Sequence, residues 1–270
     1  MNSYFYAVIM GIVEGLTEFL PVSSTGHLIL TGELLGLDGA SGETFEIVIQ
    51  VGAMFAVVLC YFNRFWGLLF PQKEKKKSFS GLRGITLLMV TTLPGAFFGL
   101  LFHSFIKTLF TPLYVAIALF VGAIFMLVVE KIKFKAKYAS IDDIDYKTAL
   151  GIGLFQCCAL WPGFSRSAST ICGGMILGLK REIAAEYSFL AAVPIIVGAA
   201  CYDLFKSYSL ILAGDIPFFV VGTVVSFLSA LVAIKGFIVM LSKVGLTPFA
   251  VYRLLLVVPA IILWCINLLE

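Results

Sequence analysis

Apolar residues run along this chain in long blocks separated by short polar breaks, and the blocks fall into two length classes. Six are long enough to cross a bilayer as helices: about 45–62, 82–102, 112–130, 184–205, 216–240 and 248–268. Four are shorter and come as pairs: about 5–20 with 26–36, and 148–161 with 169–179. Each pair is broken by a turn-forming run, Pro21-Val22-Ser23-Ser24-Thr25-Gly26 in the first and Pro162-Gly163-Phe164-Ser165 in the second. Segments this short are re-entrant candidates. Non-helical backbone at membrane depth is tolerated only where protein buries it or where it lines a cavity. The two turns are therefore where a site is expected.

The order of elements repeats. Gly11-Ile12-Val13-Glu14 matches Gly153-Leu154-Phe155-Gln156, and each leads into its Pro-led serine turn, a short apolar helix and a long span. That span opens with Glu46 in one half and Glu186 in the other, and closes at Cys60-Tyr61-Phe62 and Cys201-Tyr202-Asp203. Three full spans separate the repeats, so the second enters from the opposite face. This predicts an all-α polytopic membrane protein, six spanning helices plus two re-entrant helix pairs, as an inverted-topology repeat. It forms one integral membrane domain over 1–270, with halves of about 1–130 and 147–270.

Composition agrees. Hydrophobic residues make up 60% of the chain and charged residues only 13%, against roughly 25% charged in soluble domains. With loop 63–81 inside the cell, loops 131–147, 180–183 and 241–247 are inside as well. Of the 19 Lys and Arg residues, Lys107 and Lys206 then fall outside, Arg166 lies within the membrane, and sixteen fall on or near the cytoplasmic side. That bias puts both termini outside. The run Lys73-Glu74-Lys75-Lys76-Lys77 reads as a topology anchor beside anionic membrane lipids, with no nucleic-acid role. No basic n-region or cleavage site marks a signal peptide. The six cysteines lie in apolar stretches without metal-ligand spacing and read as small core residues.

The candidate chemistry sits in the two turns. Arg166 lies between apolar stretches, where a lone charge is costly and calls for an anionic partner. Gly163, Ser165, Ser167, Ser169 and Thr170 surround it with backbone and hydroxyl donors, the equipment of a phosphate site. In the first pair Glu14 and Glu18 are four residues apart, hence on one helix face, where they can share a proton or a metal. Ser23, Ser24 and Thr25 supply hydroxyls, and His27 can serve as acid, base or nucleophile. His103, the other histidine, reads as incidental.

These residues also carry a resemblance. Glu14-Gly-Leu-Thr-Glu18, then Pro21-Val-Ser-Ser-Thr-Gly-His27, and Pro162-Gly-Phe-Ser-Arg-Ser-Ala-Ser-Thr170 resemble the bacitracin-resistance family of undecaprenyl-diphosphatases, over nearly the whole chain and including Gly214-Asp215-Ile216-Pro217. Ala168-Ser169 departs from a common Gly-Ala, without mechanistic consequence. The resemblance implies a hydrolase of the cytoplasmic membrane. It would remove one phosphate from undecaprenyl diphosphate at a site open to the outer face, recycling the lipid carrier for peptidoglycan and other envelope polymers. It implies Glu14, Glu18, Ser24, His27 and Arg166 as catalytic residues. Ser23, Thr25, Gly163, Ser165, Ser167 and Thr170 would join Arg166 in holding phosphate. It further implies a divalent cation, Mg²⁺ or Ca²⁺; Glu14 and Glu18, as hard oxygen ligands on one helix face, are the candidates to hold it. Ser24 is the leading nucleophile with His27 or Glu18 as its base, and His27 is the rival nucleophile. The polyprenyl diphosphate and membrane lipids are the expected partners, and an oligomer is compatible with the sequence. A transporter of a phosphorylated solute or lipid is the alternative class. An acid-phosphatase-type mechanism is disfavoured, because no histidine follows His103.

Overall fold

A computed structural model describes residues 3–36, 40–70, 78–132, 134–207 and 216–268. The Lys73–Lys77 run, Gly214 and Asp215 lie outside the described residues. The short helices of the first pair are α1 (Ser3–Thr17) and α2 (Ser24–Leu35). Next come α3 (Ala40–Cys60), α4 (Phe62–Leu69), α5 (Gly81–Leu101), α6 (His103–Thr108) and α7 (Pro112–Lys131). The second short pair is α8 (Tyr146–Gln156), extended by a 3₁₀ turn over Cys157–Leu160, and α9 (Arg166–Ile176). The chain ends with α10 (Arg181–Ser207), α11 (Ile216–Val244) and α12 (Thr247–Asn267). Among the described residues the structure is helical, with a single isolated bridge between Tyr138 and Leu179.

α5, α7, α10, α11 and α12 are each long and apolar enough to cross a bilayer. Large apolar side chains cover their outer faces, among them Leu82, Leu93, Phe97, Val232 and Leu255. A surface this apolar is stable against lipid rather than water, so the chain is a multi-pass membrane protein. The expected first span ends differently: α3 breaks at Tyr61 and the chain turns 83° into α4, a helix inside the expected loop 63–81. α4 exposes Phe62, Trp66 and Leu69, and Phe70 just after it is exposed too, with Trp66 between Phe62 and Phe70. That aromatic, amphipathic character suits the membrane–water boundary, and with eight residues interrupted by Asn63 and Arg64 the helix leaves no long apolar block in the sequence.

The helices interleave. α1 packs on α11, which also packs on α3; α8 packs on α5, which also packs on α10; α7 packs on α12, and α3 on α10. The four basic segments gather at one end. Arg64 pairs with Glu186 at 3.0 Å, and Asp142 accepts the Phe79 amide at 2.6 Å. Tyr138 and Lys137 bond the Gly178 carbonyl, and Arg181 pairs with Glu130 beside Gly245. At that end Asp145 caps α8, accepting the Thr148 amide at 2.8 Å, and this bond holds its carboxyl below the usual range.

Candidate active site

The two turns share one local design. Ser23 and Ser165 are, among the described residues, the non-glycine positions with positive φ, 75° and 79°. Each is an N-cap: Ser23 Oγ accepts the Gly26 amide and Ser165 Oγ accepts the Ala168 amide, both at 3.2 Å. A positive φ on a side-chain-bearing residue is strained, and the surrounding structure must hold it. The caps do so and start both helices earlier than expected, at Ser24 and Arg166 rather than Gly26 and Ser169. Ser24 and Arg166 are thus the first helical residues of α2 and α9, each at a helix mouth whose free amides favour anions.

Glu18 joins the two mouths. Ser24 Oγ donates to Glu18 Oε2 at 2.5 Å, and Arg166 Nη2 donates to Glu18 Oε1 at 3.0 Å. Arg166 Nη1 also donates to the Ser188 carbonyl at 3.0 Å and to Ser188 Oγ at 3.1 Å, which fixes the guanidinium plane. These groups border a cavity of about 180 Å³. Glu18, Ser23, Ser24, Thr25, Ser165, Arg166, Gln50 and Gln156 give it polar walls; Gly95, Leu160, Ile195 and Ile196 form an apolar side. Gly163 also lines it, with φ at 96° and no room for a side chain, since a Cβ would sit 2.7 Å from the Val115 carbonyl.

Other candidates stand back from the cavity. His27 lies one turn further along α2: its Nδ1 sits 2.7 Å from the Ser23 carbonyl and its Nε2 2.7 Å from Tyr252 Oη. A carbonyl only accepts, so Nδ1 carries the proton and Nε2 accepts the Tyr252 hydroxyl. Ser167 Oγ donates to the Leu20 carbonyl at 2.9 Å, tying one turn to the other, and Thr170 is buried against Ser188 Oγ at 2.7 Å. Glu14 is fully buried, and neither carboxylate oxygen has a hydrogen-bond partner among the described residues. His103 stacks edge-on against Tyr202, away from these groups.

The expected cation meets no ready-made cage: among the described residues no three His, Cys, Asp or Glu side chains converge. Of the two expected ligands, Glu14 offers two unpartnered oxygens, the hard donors that such a cation takes, whereas both oxygens of Glu18 already accept hydrogen bonds.

One buried charge was not anticipated. The charge count assigns Arg253 to the cytoplasmic side, yet it is fully buried and bonds the Pro21, Gly163 and Phe164 carbonyls of both turns. Its position six residues past the start of α12, about 9 Å along the helix axis, is the signal that could have separated it from the basic loop.

The model described as bacitracin resistance protein BacA matches residues 7–259. The chain is 58% identical over 265 residues to a Maridesulfovibrio salexigens protein named undecaprenyl-diphosphatase, covering 98% of this chain and all of that one. It is 57% identical over 268 residues to one of the same name from Desulfovibrio desulfuricans, covering 99% and 100%. A Nitratidesulfovibrio vulgaris protein of that name is 59% identical over 255 residues, covering 94% and 96%.

Proposed function

The chain belongs to the bacitracin resistance protein BacA family, and from that premise we propose that it hydrolyses undecaprenyl diphosphate to undecaprenyl phosphate and inorganic phosphate. The carrying observation is Glu18, which holds the Ser24 hydroxyl and the Arg166 guanidinium on one carboxylate inside one cavity. Charge-assisted bonds of this kind polarise the hydroxyl and anchor the cation. The product re-enters peptidoglycan and envelope synthesis as lipid carrier, and its regeneration confers bacitracin resistance.

In the proposed reaction the diphosphate lies between the two helix mouths. Arg166 and the amides of α9 stabilise charge on the transferred phosphoryl group. Ser24 Oγ attacks the terminal phosphorus and gives its proton to Glu18. Glu18 passes that proton to the bridging oxygen as its bond to the terminal phosphorus breaks and undecaprenyl phosphate leaves. Water then attacks the phosphoserine, Glu18 takes the water's proton and returns it to Ser24 Oγ as that P–O bond breaks, and phosphate departs with Ser24 restored. His27, with both ring nitrogens engaged, steadies the Ser23 carbonyl under the strained cap. Ser23, Thr25, Gly163 and Ser165 line the phosphate subsite; Ser167 and Thr170 support its turn. Glu14 would hold Mg²⁺ or Ca²⁺, whose charge, when bound, offsets that of the diphosphate.

The fold reading goes with this. We take α3 with α4 as the sixth span and the halves as an inverted repeat. Glu14 and Gln156 each stand nine residues before a positive-φ serine cap, and the packing of α1 on α11 is mirrored by α8 on α5, which supports it. The positive-inside bias puts the basic end in the cytoplasm and both termini outside, in a bacterial cytoplasmic membrane. Gly95 and Ile195 lie about 21 Å along α5 and α10 from that end, which supports a cavity open to the outer face. Its apolar side faces the start of the polyprenyl tail.

The test is phosphate release from undecaprenyl diphosphate by purified protein, with and without EDTA. Release by wild type, lost in Ser24→Ala and Arg166→Ala, is expected. A wild type that binds or moves the lipid without releasing phosphate would favour a carrier instead.

A further inference from the structure

Arg253 takes no part in the reaction above, yet it is the most completely engaged cation in the described structure. It is fully buried, and its partners are carbonyl oxygens and one sulfur. Nε donates to the Leu119 carbonyl at 3.3 Å. Nη2 donates to the carbonyls of Ala118 at 3.2 Å and Gly163 at 3.0 Å. Nη1 donates to the carbonyls of Phe164 at 2.8 Å and Pro21 at 3.4 Å. These five carbonyls come from three segments: α7, the first turn and the second turn. Among the described residues, the Pro21, Gly163 and Phe164 carbonyls accept no backbone amide. At membrane depth such orphan acceptors need a donor, and a planar guanidinium with five N–H groups can serve all three segments at once.

The seat for this guanidinium is built by a missing side chain. A Cβ on Gly122 of α7 would run into Arg253 Nη2, lie 2.9 Å from its Cζ and 3.0 Å from the Phe164 carbonyl. Phe164 precedes the Ser165 cap, and Pro21 stands two residues before the Ser23 cap. The same cation therefore grips the backbone immediately ahead of both strained caps.

We propose that Arg253 is a positioning residue that ties the two turns to each other and to α7 through their carbonyls, and so keeps Ser24 and Arg166 on one carboxylate. Touching none of the reacting atoms, it acts through the turns. Only the catalytic part of its test rests on the proposed hydrolysis.

Gly122→Ala and Arg253→Lys in the full chain test it. Gly122→Ala leaves the charge in place and introduces the better helix former, but its methyl occupies the guanidinium's seat. Arg253→Lys keeps the charge and loses the fork. Both variants, normalised to folded protein, should lower kcat on undecaprenyl diphosphate by about 100-fold, the scale expected of a shift near 1 Å in a reacting group. KM should change much less. Hydrogen exchange should speed up together in segments 19–27 and 161–169, with the ends of α7 and α12 unchanged. Wild-type kcat in either folded variant, or exchange that rises in one turn alone, would overturn the proposal. Failure of both variants to fold would make Arg253 a folding residue and overturn it equally. If wild type releases no phosphate, the hydrolase reading falls, and the exchange comparison judges the tie on its own.

Discussion

Glu18→Gln is the substitution from which most can be calculated. The amide keeps the shape of the carboxylate but offers one acceptor and one donor where the native group offers two acceptors. Arg166 Nη2 can only donate, so the amide oxygen must face it, and the amide nitrogen then faces Ser24 Oγ, now 2.5 Å from Glu18 Oε2. The serine hydroxyl is forced from donor to acceptor, its attacking lone pair is occupied, and no base remains to take its proton. Loss of general-base catalysis costs about 10²–10⁴ in rate, or roughly 3–5 kcal/mol of barrier. The fold should survive, because Arg166 keeps both Ser188 bonds and one acceptor at position 18; a stability loss of about 1–3 kcal/mol is expected from the weakened charge pairing. Steady-state phosphate release, normalised to monodisperse protein, measures this: kcat should fall by about 10²–10⁴ while KM moves far less. A Glu18→Gln enzyme within tenfold of wild-type kcat would refute both the base assignment and the hydrogen-bond reasoning.

Tyr252→Phe removes the hydroxyl that His27 Nε2 accepts, and should cost about 2–13-fold in kcat, the worth of one neutral hydrogen bond; a loss as deep as that of Glu18→Gln would instead make His27 a participant in proton transfer. Glu14→Gln should abolish the response of activity to added divalent cation, read as phosphate release across a metal titration; an unchanged metal dependence would move the ion elsewhere. Arg166→Lys should not restore turnover to Arg166→Ala levels plus more than tenfold, since a compact ammonium cannot span Glu18 and Ser188 as the fork does; near-normal kcat would show that charge alone suffices. Cysteines at Lys75 and Asp215 should react with impermeant reagent from opposite faces, and labelling of both from one face would break the inverted-repeat topology.

The broken helix pairs were legible because proline, glycine and serine interrupt apolar runs too short to span, and the physics of backbone in lipid makes such interruptions places for a site. The meeting of Glu18 with Arg166 followed from the cost of a lone intramembrane charge. What escaped was direction. Ser23 and Ser165 cap their helices, so α2 and α9 start earlier than apolar periodicity alone suggests, and this sends His27 and Thr170 one turn beyond the mouths. Tyr252 supplies the partner that turns His27 away, and it sits 225 residues along the chain, beyond the reach of any local pattern. Arg253 was hidden by its nearness to a basic loop, and α4 by its shortness and by Asn63 and Arg64, which break its apolar run.

The central claim is that Ser24, activated by Glu18 and faced by Arg166 across the cavity, attacks the diphosphate. Rapid acid quench of the enzyme during turnover of substrate labelled in its terminal phosphate tests it most directly. The account predicts protein-bound label that is stable to acid and labile to base, located on Ser24 and absent from Ser24→Ala. Label that is labile to acid and stable to base, located on His27 and retained in Ser24→Ala, would contradict it.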